Sequence, residues 1–411
     1  MSLEPAPTKL VRRSRTAATT FLVAVFVSAV GDEIATIAVL FHLAGDEQSY
    51  LVAILLVLQL GPAVLLAPFA GQLLDRRDAG QVLALVSAVQ AVLVLAMSAW
   101  PNAVALLVLS TLVGVCSAVA VPAVIVLVPV LAGEAFPTRA NALLEVSRSA
   151  STLVGPVLGG VLVASLGVRT ALLVDGVSFA IAAAVIVLIR VRRPVEDEGG
   201  LWWKGASDGL RFLADQADLR IVLPILAITV SASSMVNVAL VFFVKGPLQA
   251  GAAALGVLTA AWGVGALIGA VLGARREWRS PERILLISTS VMGLAILVYG
   301  LVNAVLLAST AALIAGAANA LQNMGMRTAV HIRTPEKLLG RVHAAAGSIV
   351  NSFFLIGYVL GGIFAARYTR ATFITAGVVT AAAAAVGILL IRAQQASVPP
   401  DGATNSAEDL R

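Results

Sequence analysis

The chain has 411 residues, of which 59% are hydrophobic and 12% are charged, and its formal net charge is +6. A water-soluble protein of this length needs far more charge to cover its surface, so the composition indicates that lipid covers the chain. One cysteine and three scattered histidines exclude a disulfide framework and a metal cluster as the basis of the fold.

Long apolar runs without alternation predict membrane-spanning helices rather than a barrel, since each span needs about 20 apolar residues. The apolar run near the N-terminus is too long for a signal peptide and lacks an evident cleavage signature, so we expect it to remain as the first span. Charges, glycines and prolines divide the chain into twelve predicted spans: 17–44, 51–74, 81–100, 103–131, 140–166, 171–190, 219–244, 254–273, 283–302, 304–330, 342–366 and 371–392.

The predicted spans form two six-helix bundles joined by a polar linker. The linker contains a short amphipathic stretch, 205–214, which we expect at the membrane interface. The predicted divisions are a cytoplasmic N-terminal segment, an N-terminal bundle, a cytoplasmic linker, a C-terminal bundle and a cytoplasmic tail, at 1–16, 17–193, 194–218, 219–392 and 393–411.

The distribution of basic residues predicts the orientation in the membrane. Of the 28 Lys and Arg residues, 23 fall on segments that this arrangement places in the cytoplasm, and Arg148 lies within a span. This asymmetry predicts a multi-pass protein of the plasma (inner) membrane with both termini in the cytoplasm. Four basic residues fall on the outer side: Arg169, Lys245, Arg367 and Arg370.

An internal repeat relates the two predicted bundles. At an offset of 202 residues, residues 153–160 align with residues 355–362, and six of these eight positions are identical. The same offset pairs loop charges and the ends of spans without a gap. The repeat predicts two parallel six-helix halves with a substrate site between them near the middle of the membrane.

The loop between spans two and three reads Gly71-Gln-Leu-Leu-Asp75-Arg76. It resembles the G-x-L-a-D-R-x-G-R-R loop of the major facilitator superfamily, with Asp78 where a glycine is usual. The resemblance covers essentially the whole chain and implies an all-α polytopic fold of twelve transmembrane helices. It also implies that Gly71, Asp75 and Arg76 form a conformational latch between the halves.

Span five carries Gly155, Pro156, Gly159 and Gly160. These residues resemble the superfamily's antiporter motif, G-x8-G-x3-G-P-x2-G-G, although its first two glycines are replaced. Small residues permit close helix contact, and proline permits bending. The motif implies export rather than uptake. A finer similarity to macrolide, tetracycline-type and siderophore (enterobactin) exporters rests on 31–32, 139–142, 209–212 and 335–342.

Charged side chains within spans are costly unless paired or hydrated, so they are candidates for proton coupling. In span one, Ser28, Asp32 and Thr36 share a helical face that we expect to line the substrate cavity. Glu33 points away from this face and could equally have a structural role. Asp175 lies near the outer end of span six, where we expect water to hydrate it.

Span five and the C-terminal bundle supply the remaining candidates. Glu145 and Arg148 are three residues apart and form either a structural ion pair or a proton switch. Span four contains no charge, although many antiporters of the superfamily carry an arginine there. Four amides are candidates for substrate binding or, equally, for hydrogen bonds between helices: Asn237, Asn319, Gln322 and Asn323.

Together these features predict a secondary active exporter that exchanges protons for small amphipathic drugs or secondary metabolites. We expect a monomer in the lipid bilayer that uses the proton gradient and has no cofactor and no nucleic-acid partner. The sequence contains no Walker A loop and no nucleophile constellation, which disfavours an enzyme. Two alternatives stay open, a dedicated exporter of a siderophore or another single metabolite, and a non-transporting membrane sensor or scaffold.

Overall fold

The computed structural model describes residues 8–44, 49–132, 137–190, 211–274, 280–335 and 339–396, and within them it is helical and contains no strand. The first four helices are α1 (Thr8–Leu43), α2 (Ser49–Arg76), α3 (Ala79–Ala99) and α4 (Ala103–Ala132). After the stretch Pro137–Ile189, the chain continues with α7 (Ala217–Lys245), α8 (Ala252–Ala274), α9 (Pro281–Leu301), α10 (Val305–Arg333), α11 (Leu339–Phe364) and α12 (Thr369–Ala396).

The stretch Pro137–Ile189 consists of two helices that meet at a single residue. Gly167 has a φ of 82° and a ψ of 172°, a conformation that residues with a Cβ atom rarely adopt. The parts on either side, 137–166 and 168–189, are named α5 and α6. The sequence predicted a break of four residues between these spans, but one glycine is sufficient because its positive φ turns the chain abruptly.

These twelve helices confirm the predicted all-helical fold. Ten helical stretches within the described residues are long and apolar enough to span a membrane, and Val146–Ile189 includes both α5 and α6. A shorter apolar helix, Tyr50–Leu66, lies in α2. In the linker, 211–215 is helical and Leu213 is buried, while the rest of the predicted amphipathic stretch lies outside the described residues.

The packing of α5 and α11 reproduces the internal repeat. Gly155 and Gly159 of α5 lie against α1, because added Cβ atoms would meet Glu33 and Ile34. At the positions 202 residues later, the glycines of α11 lie against α7 in the same way. Helices α1–α6, the N-terminal half, and α7–α12, the C-terminal half, therefore share one packing scheme. The exact division of the chain into domains stays a prediction.

A second face of the same motif joins the two halves. Gly160 of α5 packs on the backbone of Ala252 in α8, and Gly256 of α8 packs on the carbonyl of Pro156. The counterpart of Gly160 in α11 is Gly362, which borders a groove against α2. The antiporter-like motif therefore serves two contacts, one with α1 inside its own half and one with α8 across the molecule.

The halves also meet where α1 and α7 end, which we call the outer side because the charge distribution predicts it to be extracellular. Lys245 Nζ donates a hydrogen bond of 2.9 Å to the carbonyl of Phe41 and lies 4.3 Å from the centre of the Phe41 ring. A cation is favourable at this position because the last carbonyls of a helix lack partners and carry partial negative charge. This contact helps to close the outer side.

Candidate functional site

A cavity of about 190 Å³ lies within the N-terminal half, between α1, α3, α4, α5 and α6, whereas the repeat predicted a substrate site between the two halves. Most of its wall consists of aliphatic side chains, with Phe179 as an aromatic member. The polar side chains of the wall are Ser28, Asp32, Ser87, Gln90, Ser117 and Arg148. The wall thus offers a bound molecule one carboxyl group, one guanidinium cation and several hydrogen-bonding groups, in otherwise apolar surroundings.

Asp32 is the acid of this cavity. Its side chain is exposed to the cavity space, whereas Gly31 and Ile34 on the same helix are buried. Ser28, one turn earlier on α1, lines the same wall, as the helical spacing predicted. Thr36, which the same spacing placed on this face, is half-buried and does not line the cavity.

Glu33 lies between α1 and α5 rather than in the cavity wall. Its Cβ packs on Gly155, and its carboxyl group is hydrogen-bonded to the side chain of Thr152. Any side chain at position 155 would occupy the space of Glu33. The contact with Glu33 thus explains why position 155, the first glycine of the antiporter-like motif that this chain keeps, has no side chain. The contacts of Glu33 favour the structural role that the sequence left open.

Asp175 differs from its prediction. We expected it to be hydrated near the outer end of α6, but it is only 1% exposed. Its carboxylate lies against Gly31 of α1, and it accepts a hydrogen bond of 3.2 Å from Ser178 Oγ. Sequence position gives the depth of a residue along a helix but not the helix that packs over it, so the burial could not be read from the sequence.

The proposed pair of Glu145 and Arg148 is described only in part. Arg148 is exposed to the cavity that Asp32 also lines. The side chain of Glu145 lies outside the described residues, so the choice between an ion pair and a proton switch stays a prediction. The structure does bring a base from α5 and an acid from α1 to one cavity.

The sequence analysis missed a polar link between α3 and α4. Gln90 Nε2 donates a hydrogen bond of 3.0 Å to Ser117 Oγ, and both residues line the cavity. Gln90 is nonetheless only 2% exposed. Its amide in the middle of an apolar span was the available signal, because a buried amide in a membrane requires a partner.

The amide candidates of the C-terminal half are tied into hydrogen bonds. Gln322 is 2% exposed, and its Nε2 donates to Thr289 Oγ1 at 2.8 Å. Asn323 donates to Asn319 at 3.1 Å, and Asn237 is hydrogen-bonded to Tyr358. For Gln322 this arrangement favours interhelical hydrogen bonding over contact with a solute, whereas Asn237 and Asn323 are exposed.

The latch candidates lie at the end of α2. Arg76 is exposed, and the side chains of Gly71 and Asp75 lie outside the described residues, so the latch stays a prediction. Asp78, the departure from the family loop, has a clear role. Its Oδ1 accepts hydrogen bonds from the backbone of Gly80 at 2.8 Å and of Gln81 at 3.2 Å, which caps the N-terminus of α3.

Comparison with known proteins decides the fold family. Residues 16–208 match the Major Facilitator Superfamily. Over 92% of its length the chain superposes on a bacterial homologue of the lysosomal transporter Spinster, solved in an inward-facing state. That superposition covers 97% of the other chain, at 13% identity and a TM-score of 0.71. The chain has the Major Facilitator Superfamily fold.

Two further similarities support this result. An uncharacterized MFS-type transporter of Sinorhizobium fredii is 26% identical over 391 residues, which cover 88% of this chain and 90% of the relative. A bacterial homologue of the iron transporter ferroportin, solved in an inward-facing state, superposes on 92% of this chain and 98% of its own, with a TM-score of 0.70 and 17% identity. The names of these proteins describe a transporter or homologues of transporters. The chain is a multi-pass integral membrane protein of this transporter fold.

Proposed function

We propose that the protein is a secondary active exporter that couples inward proton flow to outward movement of an amphipathic, cationic solute across the plasma membrane. The observation that carries this proposal is the exposure of Asp32 to a cavity within the membrane-spanning helices. An acid at this depth is costly unless it is hydrated or paired, so an acid that lines a cavity is a functional group by default.

The chemistry of exchange follows from the properties of one carboxyl group. Ionised Asp32 attracts a cationic solute that reaches the cavity, whereas protonated Asp32 has no charge to offer. A proton and a cationic solute therefore compete for the same group, and occupation by one favours release of the other. The aliphatic walls favour the apolar part of an amphipathic solute.

The contacts between the halves support alternating access to this site. Lys245 bonds to α1 on the outer side, and Gly160 and Gly256 bring α5 and α8 into close contact. In transporters of this fold, one bundle rocks against the other around a site within the membrane. The same contacts must loosen when the outer side opens, which gives the exported solute its exit.

The proposal is tested by accumulation of lipophilic cations, such as ethidium, in an efflux-deficient bacterial strain with and without the protein. We expect lower accumulation with the protein, and loss of the difference when a protonophore collapses the proton gradient. Efflux that persists without a proton or sodium gradient and follows ATP would contradict the proposal.

The open alternatives give different results in the same assay. A dedicated metabolite exporter leaves all test cations unaffected but exports a compound from the host's own metabolite extract in a gradient-dependent manner. A sensor or scaffold shows no gradient-dependent flux for either set after reconstitution into liposomes.

A further inference from the structure

We infer that Asp175 is a second proton carrier, which acts beside Asp32 so that two protons enter for each cationic solute exported. This inference rests on the proposed exchange at Asp32 and adds its stoichiometry and its dependence on membrane voltage.

The two acids lie at the same end of the cavity. Helix α1 runs outward along the wall and contributes Asp32 as its last lining residue. Helix α6 runs in the opposite direction and contributes Phe179, Ala182 and Ile186. Asp175 stands one turn before Phe179 on the same face of α6. Asp32 is thus the outermost lining residue of α1, and Asp175, which does not line the cavity, lies one turn beyond the lining residues of α6, toward the outer side.

Contact between these helix ends is close. Gly31 precedes Asp32 on α1, and an added Cβ atom at Gly31 would collide with Asp175 Oδ1 and Ser178 Oγ. The glycine thus allows the carboxyl group of α6 to reach the backbone of α1 directly beside Asp32.

The hydrogen bonds around Asp175 suit a protonated acid. Ser178 Oγ has one proton, which can go to the backbone carbonyl of Asp175 at 2.8 Å or to its Oδ1 at 3.2 Å. If the hydroxyl donates to the nearer carbonyl, a protonated Asp175 can donate to Ser178 Oγ in turn. At 1% exposure, this neutral form avoids the cost of a buried charge.

The charged group of α1 that faces Asp175 is Asp32, which interacts with it electrostatically; Glu33 lies against α5 instead. Helix α3, which packs on α6 at Gly176, contains no charged residue. On α5, Arg148 lines the cavity wall with Asp32. On α6 itself, Arg169 lies six residues earlier, roughly 9 Å along the axis. Two ionised acids side by side repel each other, so a proton on either carboxyl group relieves this repulsion.

The C-terminal half shows that helix packing alone does not require these acids. At the offset of 202 residues, the positions of Asp32 and Asp175 are occupied by Ser234 and Gly377. The position of Ser178 is occupied by Thr380, which is fully buried and whose hydroxyl has no hydrogen-bond partner. The same packing therefore forms without the carboxyl groups, and the N-terminal half carries them for another reason.

One cycle exchanges two protons for one monovalent cation. Two protons bind from the outer side and convert both carboxylates to carboxylic acids. After the halves reorient, both protons leave to the cytoplasm as one monovalent cation takes the ionised Asp32. The halves then return, and the cation leaves to the outer side. Each cycle moves one net positive charge inward, so an inside-negative voltage drives export.

The test uses purified protein in liposomes with ethidium as the monovalent cation. Proton flux is followed with a pH-sensitive dye, and voltage is set with potassium and valinomycin. For the unmodified protein we expect about two protons per ethidium and transport driven by voltage alone. For Asp175→Asn we expect about one proton per ethidium and transport that responds to the pH gradient but not to voltage.

Two further variants separate proton binding from structure. Thr380→Ala, at the position of the C-terminal half that matches Ser178, keeps both acids and should keep the ratio near two. Asp175→Ser, a smaller neutral side chain, repeats the test if asparagine does not fold. A ratio near one in the unmodified protein, or voltage-driven transport that survives in Asp175→Asn, overturns the inference. An unmodified protein that moves ethidium without moving protons overturns the proposed function instead.

Discussion

The two halves of the molecule build the same helix packing around different chemistry. In the N-terminal half, α1 and α6 carry Asp32, Glu33 and Asp175; the corresponding residues of the C-terminal half are Ser234, Met235 and Gly377. The contact of α5 with α1 is repeated by α11 with α7. The packing therefore accommodates either acids or neutral residues, and at these three positions only the N-terminal half carries ionisable groups.

At the matching positions of the C-terminal half, neutral side chains contact one another. Gln90 and Ser117 of the N-terminal cavity correspond to Met292 and Asn319, whose side chains are also in contact, at 3.8 Å. An aromatic cluster near the outer side is formed by Phe243, Tyr299 and Phe373, with ring centres 4.7–5.6 Å apart. Their counterparts at the 202-residue offset are Phe41, Met97 and Ala171. At these positions the N-terminal half thus carries a hydrogen-bonded amide and the C-terminal half an aromatic cluster.

The largest expected effect separates Asp32 from its counterpart. Asp32→Asn should abolish proton-driven uphill efflux while downhill equilibration of the solute continues, because the cavity remains and the exchangeable charge is lost. Ser234→Ala, the matched control, should transport like the unmodified protein. The measurement is solute-induced proton release by the purified protein in detergent. Release that survives in Asp32→Asn but disappears in Glu145→Gln would move the coupling site to α5.

A second, smaller effect tests the contact between the halves. Gly256→Val places a side chain against the carbonyl of Pro156, and such overpacking typically costs about 1–3 kcal/mol. The state closed at the outer side should lose population by about 5- to 150-fold, and transport in liposomes should fall accordingly. The matched residue in α2 is Ile54, which is 41% exposed, so Ile54→Val should have little effect. Equal transport by both variants would show that the α5–α8 contact does not limit the cycle.

The smallest effect compares two buried amides. Gln322→Ala removes the hydrogen bond to Thr289 and should destabilise the protein by about 0.5–2 kcal/mol, the range for hydrogen bonds between membrane helices. Its transport rate should stay near that of the unmodified protein. Gln90→Ala should change transport more than stability, because Gln90 lines the cavity. Thermal unfolding in detergent and transport at equal protein amounts measure both, and the reverse pattern would contradict the division of roles between the halves.

The spans were predictable because hydropathy reports the length of chain that lipid covers. For α3 and α8 the predicted spans, 81–100 and 254–273, lie within two residues of the helices Ala79–Ala99 and Ala252–Ala274. The helix α1 begins at Thr8 rather than at 17, since a helix can continue into the polar region beyond the membrane. Hydropathy alone therefore sets the span and not the helix end.

The site was less predictable because it depends on which helices face each other. Helical spacing correctly grouped Ser28 with Asp32, since both lie on one helix. The burial of Asp175 and the hydrogen bond of Gln322 each need a second helix, α1 and α9 respectively. No spacing within one span contains that information, and the internal repeat reveals it only after the packing of one half is known.

The hydrogen bond between Lys245 and the carbonyl of Phe41 allows opening of the outer side to be followed by chemical labelling of the lysine amine. The other lysines of the chain stand at 9, 204 and 337, on segments predicted to be cytoplasmic, so Lys245 is the one lysine predicted to face the outside of the cell. A membrane-impermeant amine-reactive dye applied to whole cells should therefore attach at a single position. Attachment should be slow while the amine is bonded to α1 and faster as turnover exposes it, and Lys245→Arg provides the unlabelled background. The rate of fluorescence gain then follows the opening of the outer side without any introduced cysteine.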